Sequence, residues 1–227
     1  MVHSSNGRSK ISSDRVRRRI DRRRVEILRA AASVFRERGF AAAGMREIAL
    51  AADLSPGNLY HYFAGKDELL YFCQSRALDR LLEAAEEAHE RRAPLTERLR
   101  SLATAHLLCV LDRVEGGAAH FEVDALPPRW RRAIVAKRDR YERRIRTLVS
   151  AGIDRGELAP TDAIVATRAF LGALNWTVQW YRPDGPDSPT RIAALVADYA
   201  VAGLAAQPPA GAPRNRRRTR QRRRIEP

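Results

Sequence analysis

Residues 46–66 read REIALAADLSPGNLYHYFAGK, a stretch crowded with hydrogen-bonding groups. Ser55 followed by Pro56 is a helix start: a hydroxyl to cap free N–H groups, then a proline that presets the first helical φ. In a helix over residues 57–63, Leu59 and Phe63 share one face and Gly57, Asn58 and His61 take the opposite one. Tyr60 and Tyr62 stand on the rims of that outward face. Such a surface suits the edges of base pairs in a DNA major groove. The rim hydroxyls and Lys66 would reach phosphates, and Arg46, at the start of the preceding helix, could fork onto a guanine. Arg46, Ser55, Gly57, Asn58, Tyr60, His61, Tyr62 and Lys66 are therefore the candidate DNA-binding residues. An ordinary amphipathic helical hairpin has the same periodicity, so the pattern alone leaves both readings open.

Other reactive side chains are sparse. There is no glycine-rich phosphate loop and no nucleophile elbow, so an enzyme has no support here. His106 and Cys109 lie three apart on an expected helix, and His120 could join them as a third metal ligand. One such pair without a matching second is a weak metal signal, and a half-buried core histidine and cysteine explain it more simply. The same side could instead line a cavity. His106, Cys109, Phe121, Trp130, Asn175 and Trp176 combine apolar surface with few polar handles, the usual make-up of a small-molecule pocket. No cofactor and no metal is expected.

The scaffold for these groups is helical by its apolar spacing. A first helix begins between residues 14 and 22 and runs to residue 38, where Gly39 closes it. Its Ile27, Leu28, Ala31, Val34 and Phe35 should pack on Ile48, Leu59 and Phe63 as a three-helix head, whose middle helix covers residues 45–51. A helix from Gly65-Lys66-Asp67 to about residue 92 buries Leu69, Leu70, Phe72, Cys73, Leu78, Leu81 and Leu82, and joins the head to the rest. Pro94 breaks that pattern, and Thr96 can cap a helix reaching residue 114. A basic amphipathic helix over residues 130–153 turns Ile134, Tyr141, Ile145, Leu148 and Val149 inward. Two more helices follow over residues 161–181 and 190–206. The expected fold is all-α: a basic disordered arm (1–20), a helix-turn-helix domain (21–65), a helical ligand-binding and dimerisation domain (66–207) and an Arg-rich disordered tail (208–227).

With 227 residues and 44% hydrophobic content the chain can bury a real core. Its net charge of +15 is unevenly placed. Residues 1–24 hold nine Lys or Arg and two Asp, and residues 214–227 hold eight Arg and one Glu, so the body between them is close to neutral. A basic segment beside a DNA-reading element adds sequence-independent, salt-sensitive affinity; a merely solvated tail is the plain alternative. No signal peptide is visible, and the longest apolar run, residues 192–206, is too short for a bilayer and carries Asp198, so no membrane partner is expected. Two cysteines make no disulfide framework, which fits a reducing cytoplasm.

The helix over residues 161–181 is apolar on two sides. Ile164, Thr167, Phe170, Leu171, Leu174 and Val178 make one face; Val165, Ala169, Ala173, Trp176 and Trp180 make the other. Both must be covered: one by this chain's own domain, the other by a second subunit or by more of the same core. The expected dimer interface is Phe170, Leu171, Leu174 and Val178, with Leu195 and Tyr199 of the last helix.

The run FRERGF, REIA, LSPGNLYHYF and GKDELL, from residue 35 through residue 70, resembles the DNA-binding domain of TetR-type one-component transcriptional regulators. Two positions depart from that pattern: Gly44 stands where a capping Ser or Thr is usual, and Asp53 where the inter-helix turn usually has glycine. The resemblance implies a homodimer paired through the last two long helices, binding double-stranded operator DNA and answering to a small molecule. A repressor is the leading expectation. An activator of the same fold is the alternative, and a nucleic-acid-coating protein acting through basic tails is a third. The segment FLGALNWTVQWYRPDG, residues 170–185, resembles a TetR subgroup that often controls fatty-acid, steroid or other acyl-CoA metabolism. That implies an acyl-CoA or lipid-like effector.

Overall fold

The computed structural model describes residues 6–112 and 123–206, and their side chains except for residues 6–14 and Arg36. Among these described residues there are eight α-helices and a short 3-10 turn. In order these are α1 (Asn6–Ala42), α2 (Met45–Ala51), α3 (Pro56–Tyr60), α4 (Lys66–Glu90), α5 (Leu95–Leu111), the 3-10 turn (Val123–Ala125), α6 (Pro128–Asp154), α7 (Ala163–Trp180) and α8 (Pro189–Ala202). Among the described residues no strand forms; an isolated bridge joins Leu158 to Ala205. None of the described helices is long and apolar enough to cross a membrane. The Arg-rich tail expected over residues 208–227 lies outside the described residues.

The first helix starts earlier than its apolar spacing indicates. It is helical from Asn6, so most of the arm expected to be disordered is helix. Residues 8–38 contain neither Gly nor Pro and are rich in arginine, a strong helix former, which sustains a helix where no apolar stripe announces one. Gly39, at φ 75°, breaks it as expected.

The head packs as its spacing predicts, with Ile27, Leu28, Ala31, Val34, Phe35, Ile48, Leu59 and Phe63 all buried. Ser55 accepts the Asn58 N–H at 3.2 Å, and Pro56 opens α3. Asp53 takes the left-handed turn at φ 52°, as the missing glycine requires. Glu47 accepts the Gly44 N–H at 3.2 Å, so only the glutamate half of the capping box is present. α3 is shorter than the expected 57–63. Its last turn tightens, the Tyr62 and Phe63 N–H groups both bonding Leu59 O, as Phe63 dives into the core and the chain swings into α4.

In the second half α5 is the central rod, packed on α4, α6, α7 and α8. α6 turns Ile134, Tyr141, Ile145, Leu148 and Val149 inward, as its spacing indicates. The N-terminus of α5 is held from a distance: Glu157 Oε2, in the turn after α6, accepts the Leu95 N–H at 2.6 Å. Thr96 is not the cap. Gly152 is required by close packing, since a Cβ there would lie 2.6 Å from the Leu158 side chain.

The orientation of α7 corrects the expected dimer interface. Phe170 and Leu174 are buried in this chain's own core with Thr167 and Thr177, and Leu171 and Val178 are half-buried against it. The outer face is the tryptophan side: Trp176 is 66% and Trp180 46% exposed, beside Leu195 at 54% and Tyr199 at 78% on α8. Each buried threonine hydroxyl donates within its own helix, Thr167 to Ala163 O at 2.7 Å and Thr177 to Ala173 O at 3.2 Å. That stripe therefore enters an apolar core with its hydroxyls satisfied.

Candidate nucleic-acid interface and ligand cavity

Most of the expected DNA-binding residues are accessible on the head, and Asn58, His61 and Tyr62 line one groove. Arg46, Ser55, Gly57, Asn58, Tyr60 and His61 are exposed, and Tyr62 is half-buried. No Cβ-blocking atom lies near Gly57, so its lack of a side chain leaves open space in which a base pair can approach. Between α1 and α3 runs an open groove of about 540 Å³, floored by Ile20 and Leu54 and edged by Asn58, His61 and Tyr62.

Lys66 has a different post from the one expected. Its ammonium donates to Phe40 O at 3.2 Å and Ala41 O at 3.0 Å, and lies 4.9 Å from the Phe40 ring centre. It ties the free carbonyls at the end of α1 to the first turn of α4, which is where a cation is best placed. Two of its three donors are thereby taken inside the protein.

Two arginines that the spacing did not single out brace the head. Arg23 donates to Ala52 O at 3.2 Å and so holds the inter-helix turn against α1. Arg24 lies 4.6 Å from the Phe63 ring centre and 4.8 Å from that of Phe72, and bonds Glu68 at 3.1 Å. The only sequence signal for Arg24 was an arginine on the otherwise apolar side of α1. Further out, Arg15, Arg17, Arg18, Arg19 and Arg22 are all exposed, with no acidic partner among the described side chains.

The second site is a cavity of about 220 Å³ where α4, α5, α6 and α7 meet. Leu78, Leu81 and Leu171 form its apolar wall; His106, Tyr141 and Asn175 form a polar end, and Arg138, Asp139 and Glu142 complete the lining. His106 and Tyr141 are buried, their rings stacked at 5.8 Å. His106 Nδ1 is 3.1 Å from Tyr141 Oη, and Nε2 is 3.0 Å from Asn175 Oδ1. Burial holds His106 down to about 4, against an opposing pull from the Asn175 hydrogen bond, so the imidazole is neutral near pH 7. Burial also pushes the Tyr141 phenol up, with the Cys109 charge adding to the effect. A carbonyl oxygen only accepts, so Nε2 carries the proton and the phenol donates to Nδ1.

Of the expected pocket residues, His106 and Asn175 line the cavity, and Cys109, Trp130 and Trp176 do not. Cys109 is buried with its thiol 3.8 Å from Ala77 O, in the packing against α4. Trp130 stacks on Tyr71 at 5.5 Å, away from the cavity. Trp176 is on the outer face of α7, because its helix turns the opposite side inward. Phe121 and His120 lie outside the described residues. Among the described residues no three His, Cys, Asp or Glu side chains gather as metal ligands. Tyr141, the sole hydroxyl-bearing member of the inward row on α6, reads from the sequence as a core residue.

Known proteins match both halves. Residues 27–71 match the model of bacterial regulatory proteins of the tetR family, and residues 92–204 that of the tetracyclin repressor-like C-terminal domain. The HTH-type transcriptional repressor KstR2 of Mycobacterium tuberculosis is 30% identical over 180 residues, covering 76% of this chain and 88% of KstR2. The TetR family transcriptional regulator PfmR from Thermus thermophilus superposes with a TM-score of 0.71 at 35% identity, covering 78% of this chain and 98% of that one. AibR, solved in complex with isovaleryl coenzyme A and operator DNA, superposes with a TM-score of 0.70 at 27% identity, covering 81% of this chain and 98% of that one. A short exposed helix on a braced helix-turn-helix head, a helical second domain and these likenesses agree: the chain belongs to the TetR family of DNA-binding transcriptional regulators, which are not enzymes.

Proposed function

We propose that the protein is a homodimeric repressor released from its operator by a small acyl-CoA-type effector. The observation that carries this is that one helix touches both sites. The first turn of α4 is bonded to the head through Glu68 and Lys66, and further along the same helix Leu78 and Leu81 line the cavity. A ligand that favours one setting of α4 against α6 and α7 therefore biases the head, by as much as its affinity differs between the two settings. The apolar wall of Leu78, Leu81 and Leu171 fits an acyl chain. KstR2 is named a repressor, and AibR was captured with isovaleryl coenzyme A and operator DNA, which supports both halves of the reading.

Two heads must be held at a fixed spacing for two half-sites. The outer face of α7 and α8, with Val165, Trp176, Trp180, Leu195 and Tyr199 exposed, is the surface that a second copy would cover. The exposed arginines of α1 would add sequence-independent attraction to phosphates.

The test is binding to the DNA upstream of the protein's own gene against a scrambled duplex, with and without acyl-CoA thioesters. The reading requires tight binding of the first duplex by a dimer, and release on adding a thioester. Equal binding of both duplexes overturns the regulator's operator specificity. Specific binding that no thioester relieves overturns the effector class alone.

A further inference from the structure

The polar end of the cavity is built to donate. Tyr141, His106 and Asn175 form one directed chain, phenol to Nδ1 at 3.1 Å and Nε2–H to Oδ1 at 3.0 Å. Both nitrogens of the buried imidazole are thereby used inside the protein. Asn175 Oδ1 is used as well, while its amide N–H groups have no protein acceptor among the described residues and Asn175 stands on the cavity wall. Hydrogen bonds in series polarise one another, so an amide whose oxygen already accepts is a better donor through its nitrogen. The three members of this chain are uncharged near neutral pH, and they share the cavity lining with Leu78, Leu81 and Leu171 and with the charged side chains of Arg138, Asp139 and Glu142.

From this we infer that the cavity selects a short acyl group bearing a neutral hydrogen-bond-accepting oxygen on its chain, with Asn175 as the residue that reads that oxygen. The inference rests on the acyl-thioester reading above and narrows it. A plain hydrocarbon entering the cavity would strip water from the Asn175 donors and leave them unmet, a cost that an oxo group repays. Sites made to hydrogen-bond a ligand atom discriminate sharply against analogues that lack it, whereas apolar pockets discriminate weakly on size. The 220 Å³ of space favours a chain of a few carbons over a fused ring system. Tyr141 acts one step removed: its phenol fixes the imidazole tautomer that in turn holds the Asn175 oxygen, so it is a positioning residue.

Acetoacetyl-CoA and butyryl-CoA test the point, since their acyl chains have the same carbon count and differ by one oxo group. Titration calorimetry on the full-length protein should give acetoacetyl-CoA the lower Kd by about tenfold or more, the value of one otherwise unmet hydrogen bond. In Asn175→Leu the two Kd values should fall within about twofold of each other. Tyr141→Phe should narrow the gap without closing it, because the amide remains but its orientation is no longer enforced. Equal binding of the two thioesters by the unaltered protein overturns the inference and leaves the acyl-CoA reading standing. So does an Asn175→Leu variant that keeps the full preference. Should neither thioester bind, the carrier is what fails, and methyl acetoacetate against methyl butyrate puts the oxygen preference to the same comparison by NMR titration. An absent preference there overturns it.

Discussion

Arg24 on α1 and Glu68 on α4 meet at 3.1 Å, with the guanidinium lying against both Phe63 and Phe72. Glu68 also accepts the Ala64 N–H at 2.7 Å, so one carboxylate fixes the exit from α3 and the start of α4. The pair is only part-exposed, and its value comes more from the two ring contacts and the packed stem than from the charge.

Arg24→Ala should therefore destabilise the protein by about 1–3 kcal/mol in urea denaturation and weaken operator binding. Arg24→Lys should recover less than half of either loss, because an ammonium cannot lie flat against two rings and still fork to a carboxylate. Unaltered stability and operator affinity in Arg24→Ala would remove it from the brace.

Base reading and backbone contact separate by specificity. Asn58→Ala or Arg46→Ala should each cost roughly 1–3 kcal/mol against the cognate duplex and relax base preference at one position, measured by competition against single-base variants of the operator. Equal losses on cognate and scrambled DNA would strip both residues of a reading role. Lys66→Ala should behave otherwise than a surface lysine: it frees the Phe40 and Ala41 carbonyls, so stability should fall along with affinity.

How far the residues themselves disclosed this arrangement depends on the range of the forces involved. The head was legible because Ile27, Leu28, Ala31, Ile48, Leu59 and Phe63 repeat at helical spacing, and because Ser55-Pro56 and Asp53 are local signals whose bonds close within a few residues. The inward row of α6 was legible for the same reason. What stayed hidden depends on distant partners: Lys66 bonds residues 25 and 26 positions away, and Glu157 caps a helix 62 positions away. The two faces of α7 look alike in hydrophobicity, and only the fit against α5 and α6 decides which is buried. The polar start of α1 has no apolar period to read, so its helix rests on propensity alone. His106 and Asn175 of the expected pocket line one cavity, and their partner Tyr141 is hidden among the core residues of α6.

The exposed row on α1 makes a salt prediction. Arg15, Arg18, Arg19 and Arg22 stand at spacings of three and four, so they present one charged side, and like charges that close destabilise a helix unless a polyanion lies along it. Replacing all four with Gln, nearly as good a helix former, should lower affinity for operator and scrambled DNA by similar factors. The slope of log affinity against log salt should shallow by about 0.9 for each phosphate left without its arginine. Circular dichroism would check that the helix persists. An unchanged slope would show α1 to be a solvated extension.

His106 predicts how stability depends on acid. Its folded value lies near 4 against an ordinary 6.5, because burial disfavours the charged ring. Between those values the unfolded chain holds the extra proton, so acid favours unfolding there. The neutral ring's contribution is complete above about pH 6.5, is lost progressively as pH falls towards 4, and changes no further below that. A shift of this size corresponds to about 3 kcal/mol at most over the whole window. Urea denaturation at pH 7 and pH 5 should show the midpoint falling in the unaltered protein more than in His106→Gln, which cannot take up the proton. The glutamine variant should be less stable at pH 7, since it leaves the Tyr141 phenol or the Asn175 oxygen short of a partner. A midpoint falling equally in both proteins would mean that the acid sensitivity lies in the exposed carboxylates, and that His106 titrates as an ordinary histidine.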